Sequence, residues 1–136
     1  MKVCLDTNVI VAAFATRGLC ADVFRTVLAE HDLMVSEVIL DELRRALATK
    51  LKLSDDRIAA VEAVLASFPI VPRPATPAAA PVRDPADRWI LATALAGGAE
   101  VLVTGDRDLL DVRAQAPLRM VDPREFWELL RERGLR

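Results

Sequence analysis

Four acidic segments, well separated along the chain, contain the residues best suited to chemistry. They are Leu5-Asp6-Thr7-Asn8, Asp41-Glu42-Leu43, Asp84-Pro85-Ala86-Asp87 and Thr104-Gly105-Asp106. Carboxylate, hydroxyl and amide oxygens are the ligands that hard cations such as Mg²⁺ and Mn²⁺ prefer. A single fold can bring the four carboxylates to one place, so the pattern indicates a hard-metal site.

Other kinds of catalytic site have few residues available. The one histidine, His31, precedes the apolar run Leu33-Met34-Val35, and no serine lies in a strand-to-helix elbow motif, so a turn histidine is favoured over a Ser-His-Asp triad. Cys4 and Cys20 are sixteen positions apart and lack the C-x-x-C spacing of zinc and redox motifs. We expect both to be reduced thiols that pack as small core residues.

The composition indicates a single domain covering residues 1–136. Hydrophobic residues make up 53% of the chain and aromatic residues only 4%, so the core should consist of aliphatic side chains. The net charge of −2 gives no general attraction to nucleic acid, and any polyanion must be bound locally. No apolar stretch is long enough for a signal peptide or a membrane span, so we expect a cytoplasmic protein without a membrane partner.

Strand and helix patterns alternate along the chain. The predicted strands are Val3-Cys4-Leu5, Leu33-Met34-Val35, Phe68-Pro69-Ile70-Val71, Val101-Leu102-Val103 and Leu118-Arg119-Met120-Val121. The predicted helices cover 9–14, 20–30, 37–50, 54–67, 85–97 and a final stretch after Asp122-Pro123, with Ser36, Ser54, Asp84 and Asp122 as N-caps. Such alternation predicts a parallel sheet covered by helices on both faces, with ligands at the carboxyl ends of the strands.

Prolines interrupt this alternation once. Five of the eight prolines lie within residues 72–85, interleaved with alanines, so we interpret 72–84 as an internal loop rather than a helix or a central strand. The predicted strand before this loop, Phe68-Pro69-Ile70-Val71, contains Pro69. It should lie at an edge of the sheet, because proline donates no ladder hydrogen bond.

Each acidic residue has an ordinary structural interpretation beside the functional one. Asp6 follows a strand and precedes a helix, so it is either a helix cap or a ligand at the rim of the sheet. Asp84 and Asp87 are explained equally well as an N-cap and a first-turn acid, and Asp106 and Asp108 as turn residues. If the strands before Asp6 and Asp106 are neighbours, both carboxylates project from the same rim.

Glu42 is the most informative of the acids. On a helical projection it interrupts the apolar side of its helix, between Val38 and Ala46, whereas Asp41 and Arg45 point away. A carboxylate on that side needs a cation or hydrogen-bond donors, so either a metal or a salt bridge with a nearby arginine is expected.

Taken together, these segments resemble the PIN-domain family of metal-dependent ribonucleases, particularly its bacterial toxin members of the VapC type. The resemblance spans nearly the whole chain and is carried by Leu5-Asp6-Thr7-Asn8, by Ser36 with Glu42-Leu43, by Asp87-Arg88-Trp89-Ile90-Leu91-Ala92-Thr93-Ala94, and by Val103-Thr104-Gly105-Asp106-Arg107-Asp108-Leu109. It implies a three-layer α/β/α fold with a central, mostly parallel sheet of four to five strands. Leu109 stands where many relatives have phenylalanine, which is a conservative packing change.

The resemblance also implies roles for individual residues. The residues that match the family's acidic quartet, which would hold one or two Mg²⁺ or Mn²⁺ ions, are Asp6, Glu42, Asp87 and Asp106. Asn8 and Thr104 match supporting polar positions, and Asp84 and Asp108 match further acids that are candidate ligands. Arg88 and Arg107 flank presumed ligands, so each is either a contact to an RNA phosphate or a solvated surface residue.

The implied function is metal-dependent cleavage of RNA by the toxin of a toxin-antitoxin pair. The implied partners are an RNA substrate and a small protein antitoxin that covers the acidic rim, and the helix bearing Phe126 and Trp127 is a candidate surface for a homodimer. Two alternatives remain: a metal-stabilised domain that binds RNA or protein without cleavage, and a phosphatase that uses Asp6 as its nucleophile. The phosphatase is disfavoured because Asn8 stands where its motif needs a second aspartate.

Overall fold

In a computed structural model, which describes residues 1–77 and 84–134, the chain forms a five-stranded sheet with helices on both faces. The strands are β1 (Lys2–Leu5), β2 (Asp32–Ser36), β3 (Ile70–Val71), β4 (Val101–Val103) and β5 (Arg119–Val121). The helices are α1 (Thr7–Ala15), α2 (Leu19–Glu30), α3 (Glu37–Thr49), α4 (Asp55–Leu65), α5 (Pro85–Ala96), α6 (Arg107–Leu110) and α7 (Pro123–Glu132), with a short 3₁₀ turn at Arg113–Gln115. This confirms the predicted three-layer α/β/α fold.

All strand pairs are parallel, and the order of the strands is β3-β2-β1-β4-β5. The chain moves from β1 outward through β2 to β3, and then returns to place β4 on the other side of β1. The strand order therefore reverses between β1 and β4, and the crevice at the carboxyl ends of two such strands is where open α/β sheets bind ligands. The segments after β1 and β4 carry Asp6 and Asp106.

The core is aliphatic, as the composition predicts. Val3, Cys4 and Leu5 of β1 are fully buried, which fits a central strand covered on both faces. Cys4 and Cys20 are free thiols, as expected, and burial raises the pKa of each. His31 lies in the bend at the end of α2, is partly buried, and has Glu30 and Asp32 rather than the four predicted acids as its neighbours in the chain, which fits a turn residue rather than part of a catalytic group.

The predicted caps are confirmed at four helices. The side chains of Ser36, Ser54, Asp84 and Asp122 accept hydrogen bonds from the first turns of α3, α4, α5 and α7, respectively. Asp122 also forms a capping box with Glu125. Helix α6 and the 3₁₀ turn were not predicted, because both are too short to show a hydrophobic period.

The Pro/Ala-rich segment is held to the helical layer at its first residues. Residues 72–77 form no helix or strand, as predicted, and 78–83 of the predicted loop lie outside the described residues. The backbone N–H of Arg73 donates to Glu37 Oε1 at 2.8 Å, and its guanidinium lies 5.5 Å from the ring centroid of Trp89 while pairing with Asp41 at 3.4 Å. These contacts join α3 to α5, the helices that carry Glu42 and Asp87.

Helix α7 packs within its own chain. Phe126, Leu129 and Leu130 are buried against the fold, and Trp127 is half-buried. The predicted homodimer surface on this helix is therefore used largely for intramolecular packing. Within the described residues, no single helix is long and apolar enough to cross a membrane; α1 and α2 meet that criterion only as a pair bent by 109°.

Candidate metal centre

Thr104 connects the residues that follow the two central strands. Its hydroxyl donates to Asp6 Oδ2 at 2.7 Å and accepts from the backbone N–H of Asp106 at 3.0 Å. Asp6 and Thr104 are both buried, at 4% and 0% exposure. The Asp6 side chain makes no capping hydrogen bond to α1, so the helix-cap interpretation does not account for it. Burial raises the pKa of Asp6, the nearby carboxylate of Asp106 raises it further, and the Thr104 hydrogen bond opposes both effects.

Glu42 faces the same crevice from α3. The side chain is half-buried, and Thr7 Oγ1 donates to its Oε2 at 3.2 Å. Burial is the main cause of its raised pKa. Among the described residues no arginine forms a salt bridge with Glu42, although the nearby charge of Arg45 opposes the rise in the pKa of Glu42. Arg45 was predicted to point away, but it is one helical turn from Glu42 and lines the same cavity.

The start of α5 supplies two further carboxylates. Asp84 Oδ1 accepts from the backbone N–H of Ala86 at 2.9 Å, so Asp84 is the N-cap that its ordinary interpretation requires. Asp87 is different: it is 7% exposed, and its buried Oδ2 has no hydrogen-bond partner among the described residues. A buried carboxylate oxygen without a donor is costly, and a cation is the usual remedy.

Helix α6 brings Asp106 and Asp108 toward Asp87. Asp106 Oδ1 caps α6 by accepting from the backbone N–H of Asp108 at 2.8 Å. One carboxylate oxygen from each of Asp87, Asp106 and Asp108 lies within 4.8 Å of the others. Three half-buried or buried carboxylates at this separation fit the oxygen coordination of a hard divalent cation.

The electrostatics of the cluster agree with that fit. Burial, the adjacent Asp106, and the more distant Asp84 and Asp6 together raise the pKa of Asp87 to about 7. The cluster thus brings like charges together at a buried position, where each disfavours ionisation of the others. A bound divalent cation would instead favour the ionised form of these carboxyl groups and so lower their pKa.

A cavity of about 290 Å³ opens in front of these groups. It is lined by Asp6, Thr7, Asn8, Glu42, Arg45, Ala46, Thr49, Lys50, Asp84, Ala86, Asp87 and Asp106. The structure therefore brings together the acidic quartet predicted from the sequence, with Asn8 and Asp84 beside it, Thr104 behind Asp6, and Asp108 next to Asp106. Arg88 and Arg107 are exposed and do not line the cavity, so their predicted contact with a phosphate gains no support from it.

Four polar lining residues were not predicted as part of the site. Thr7 orients Glu42, while Arg45, Thr49 and Lys50 extend the cavity along α3. Lys50 Nζ donates to Asn8 Oδ1 at 3.3 Å. Helical spacing from Glu42 was the available signal, because residues three, seven and eight positions later share its side of the helix.

Comparison with known proteins agrees with this fold. A family model described as PIN domain matches residues 2–108. The comparison with curated protein sequences gives no significant match.

Solved structures similar to the chain include VapBC and FitAB proteins. VapBC2 from Rickettsia felis, bound to a DNA fragment from its promoter, has a TM-score of 0.62 at 16% identity, covering 90% of this chain and 98% of that chain. FitAB bound to an IR36 DNA fragment has a TM-score of 0.64 at 20% identity, with coverage of 89% and 94%. VapBC-1 from nontypeable Haemophilus influenzae has a TM-score of 0.60 at 20% identity, with coverage of 91% and 99%.

At these identities the likeness to solved structures is one of fold, and the family assignment comes from the family model. That model covers both central strands and every residue of the predicted acidic quartet. The chain belongs to the PIN domain family.

Proposed function

We propose that this protein is a Mg²⁺- or Mn²⁺-dependent endoribonuclease and the toxin of a toxin-antitoxin pair that acts in the cytoplasm. The observation that carries the proposal is the convergence of carboxylates from four separate segments at the switch point of the sheet, with the buried Oδ2 of Asp87 lacking a donor. A purely structural set of caps would not need to bury that oxygen. Membership of a nuclease family and the fold shared with solved toxins support the same function.

In this proposal the chain itself holds and orients the reacting groups. Asp87, Asp106 and Asp108 hold one or two divalent cations, together with Asp6 and Glu42, which Thr104 and Thr7 keep in position. When bound, the cation supplies Lewis acidity toward a phosphate oxygen and lowers the pKa of a water molecule. The chain then needs no nucleophilic side chain of its own, in keeping with the position of His31 outside the cavity.

The proposed partners follow from the same surface. A small antitoxin would cover the acidic opening and place a basic side chain among the carboxylates. The clustered negative charges would stabilise that positively charged side chain. The solved complexes of similar fold are toxins with their antitoxins, which supports such a partner. A homodimer is also proposed, although α7 contributes most of its apolar side to the chain's own core.

The decisive test is cleavage of a panel of single-stranded and hairpin RNAs by purified protein with Mg²⁺ or Mn²⁺ against EDTA. Asp6→Asn and Asp106→Asn should each lower the rate by at least about 100-fold, as expected when a group that stabilises transition-state charge is removed. Asp111→Asn is the matched control, because Asp111 is exposed at the end of α6 and lies outside the cavity.

Three results would contradict the proposal. Undiminished cleavage by the Asp106→Asn variant would show that the carboxylate cluster is not the catalytic site. RNA binding without cleavage by the wild type would favour the non-catalytic binding domain. Release of phosphate from small phosphoesters would revive the phosphatase alternative.

A further inference from the structure

The cavity changes its charge along one face of α3. Glu42, Arg45, Ala46, Thr49 and Lys50 all line it, and their spacing of three, four, seven and eight residues places them on one side of the helix. The eight residues from Glu42 to Lys50 correspond to roughly 12 Å of helix at 1.5 Å per residue. This wall of the cavity therefore has one carboxylate, Glu42, and two cations, Arg45 about one helical turn from it and Lys50 about two turns from it.

Neither cation forms a salt bridge with a carboxylate within the described part of the chain. Arg44, which precedes Arg45, is bonded to Glu62 by two hydrogen bonds of 3.1 and 2.6 Å, and so is neutralised on the opposite side of α3. Arg45 and Lys50 are exposed, and Lys50 Nζ donates to the neutral amide oxygen of Asn8. The positive charges of Arg45 and Lys50 oppose the rise in the pKa of Glu42 and of Asp6, respectively, so both cations are near the carboxylates without being paired to them, and their donors can reach an anion in the cavity.

The other two residues of this wall do not compete with Arg45 and Lys50 for an anion. The side chain of Ala46 is small, and the hydroxyl of Thr49 already donates to the backbone oxygen of Arg45 at 2.8 Å. The wall therefore has Arg45 about one helical turn from Glu42 and Lys50 about two turns from it, with the small Ala46 between the two cations.

An RNA strand needs such a region. Divalent cations at the carboxylates can neutralise the phosphate that reacts, but every further nucleotide brings another negative charge toward an acidic rim. The net charge of −2 gives no overall attraction to compensate. Local cations beside the acidic cluster are the remaining source of affinity for the strand.

We propose that Arg45 and Lys50 form a subsite for a backbone phosphate of the RNA strand adjacent to the cleaved bond, with Asn8 holding the Lys50 ammonium in place. This inference rests on the proposed nuclease function. Both are positioning residues: they fix the path of the strand along α3 and take no part in bond cleavage. The contact is to the backbone, so it contributes affinity for every sequence rather than a preference for one base.

The test uses Lys50→Met and Arg45→Met, with Lys52→Met and Arg44→Met as controls that remove the same charges outside the cavity. Binding of a fluorescein-labelled single-stranded 12-nucleotide RNA is measured by anisotropy over a range of salt concentrations, in an Asp106→Asn background that does not cut. Each cavity variant should bind about 5- to 10-fold more weakly at physiological salt, and the slope of log affinity against log salt should fall by about 0.7 for each phosphate that the variant no longer neutralises. In the cleaving protein the same variants should raise KM and leave kcat within about twofold.

Two results separate the failure of this inference from that of the nuclease proposal. If wild-type protein cuts RNA but Lys50→Met and Arg45→Met keep its affinity, salt slope and KM, the subsite is overturned and the nuclease stands. A change confined to Mn²⁺ affinity in these variants would likewise overturn it, because the residues would then act only as counter-charges to the carboxylates. If wild-type protein neither binds nor cuts RNA, the nuclease proposal fails, and the subsite fails with it.

Discussion

Replacing Asp87 by asparagine should stabilise the metal-free protein while it abolishes cleavage. The Asp87 carboxyl is buried, one of its oxygens lacks a donor, and its neighbours are carboxylates. The pKa of Asp87 is raised to about 7, so the folded protein binds this proton more tightly than the unfolded chain does. Ionisation of Asp87 therefore lowers the free energy of unfolding of the wild type. This loss is absent below about pH 4, grows as the pH rises, and is complete above about pH 7.

The size of the effect can be bounded. A rise from 3.8 to about 7 corresponds to at most about 4 kcal/mol at pH 8, because a tenfold change in proton affinity is worth about 1.4 kcal/mol. The open cavity admits water and counter-ions, and Asp87 also interacts favourably with the N-terminus of α5, which asparagine does less well. We therefore expect a net gain of about 1–2 kcal/mol for Asp87→Asn at pH 8, well below the bound.

Urea unfolding in EDTA at pH 8 and pH 4 measures this gain. A stabilisation of about 1–2 kcal/mol moves the midpoint up by roughly 0.5–1 M at the slopes usual for small domains. The gain should vanish at pH 4, where the wild-type carboxyl is protonated. Asp56→Asn is the control: this exposed first-turn acid of α4 stabilises the helix N-terminus, so its loss should cost about 0.3–1 kcal/mol. A destabilised Asp87→Asn variant at pH 8, or a gain independent of pH, would refute the reasoning.

Three further predictions concern the metal, the hydrogen-bond support of the site and the packing of α5. At a Mn²⁺ concentration 100 times the Kd, the wild type should gain about 2.7 kcal/mol of unfolding free energy and Asp106→Asn much less; equal gains would remove this residue from the ligand set. Thr104→Val should lower the free energy of unfolding by about 1–3 kcal/mol, since it breaks one buried and one partly buried hydrogen bond, and Thr104→Ser should recover most of the loss. Gly97→Ala should cost about 1–3 kcal/mol, because a Cβ there would collide with the Met34 side chain; an unchanged thermal midpoint would show that the flexible Met34 side chain can move aside.

Local signals in the sequence predicted most of the fold. Short aliphatic runs bounded by polar residues identified the strands, and capping residues such as Ser36 and Asp122 fixed where helices begin, since a side-chain acceptor for the first N–H groups acts over only a few positions. Strand β3 illustrates the limit of such signals: Pro69 predicted an edge strand correctly, yet only Ile70–Val71 pair with β2. Helix α6 was not predicted either, because its four residues complete little more than one turn and are too few to show a hydrophobic period.

For the candidate site, the residues that the sequence predicted differ clearly from those that it did not. Asp6, Glu42, Asp87 and Asp106 were predicted because each carries both a local pattern and a match to a family motif. Lys50 matches no family motif, and its helical spacing from Glu42 places it only on the same side of α3. Its position in the cavity depends on how α3 lies beside α1, where Asn8 Oδ1 accepts a hydrogen bond from the Lys50 ammonium. Arg88 illustrates the converse, since its sequence neighbour Asp87 faces the cavity while Arg88 itself faces solvent.

The sequence by itself determined which residue types were present and how each segment would fold, because hydrophobic period and capping are properties of a few adjacent residues. Tertiary structure decided which carboxylates share a site, since that depends on the pairing of β1 with β4 across nearly a hundred positions. It also decided that Asp87 is buried without a donor while Asp84, three residues earlier, is an ordinary cap. Burial and the distances between charges are properties of the packed chain, and they are what distinguish a candidate metal ligand from a helix cap.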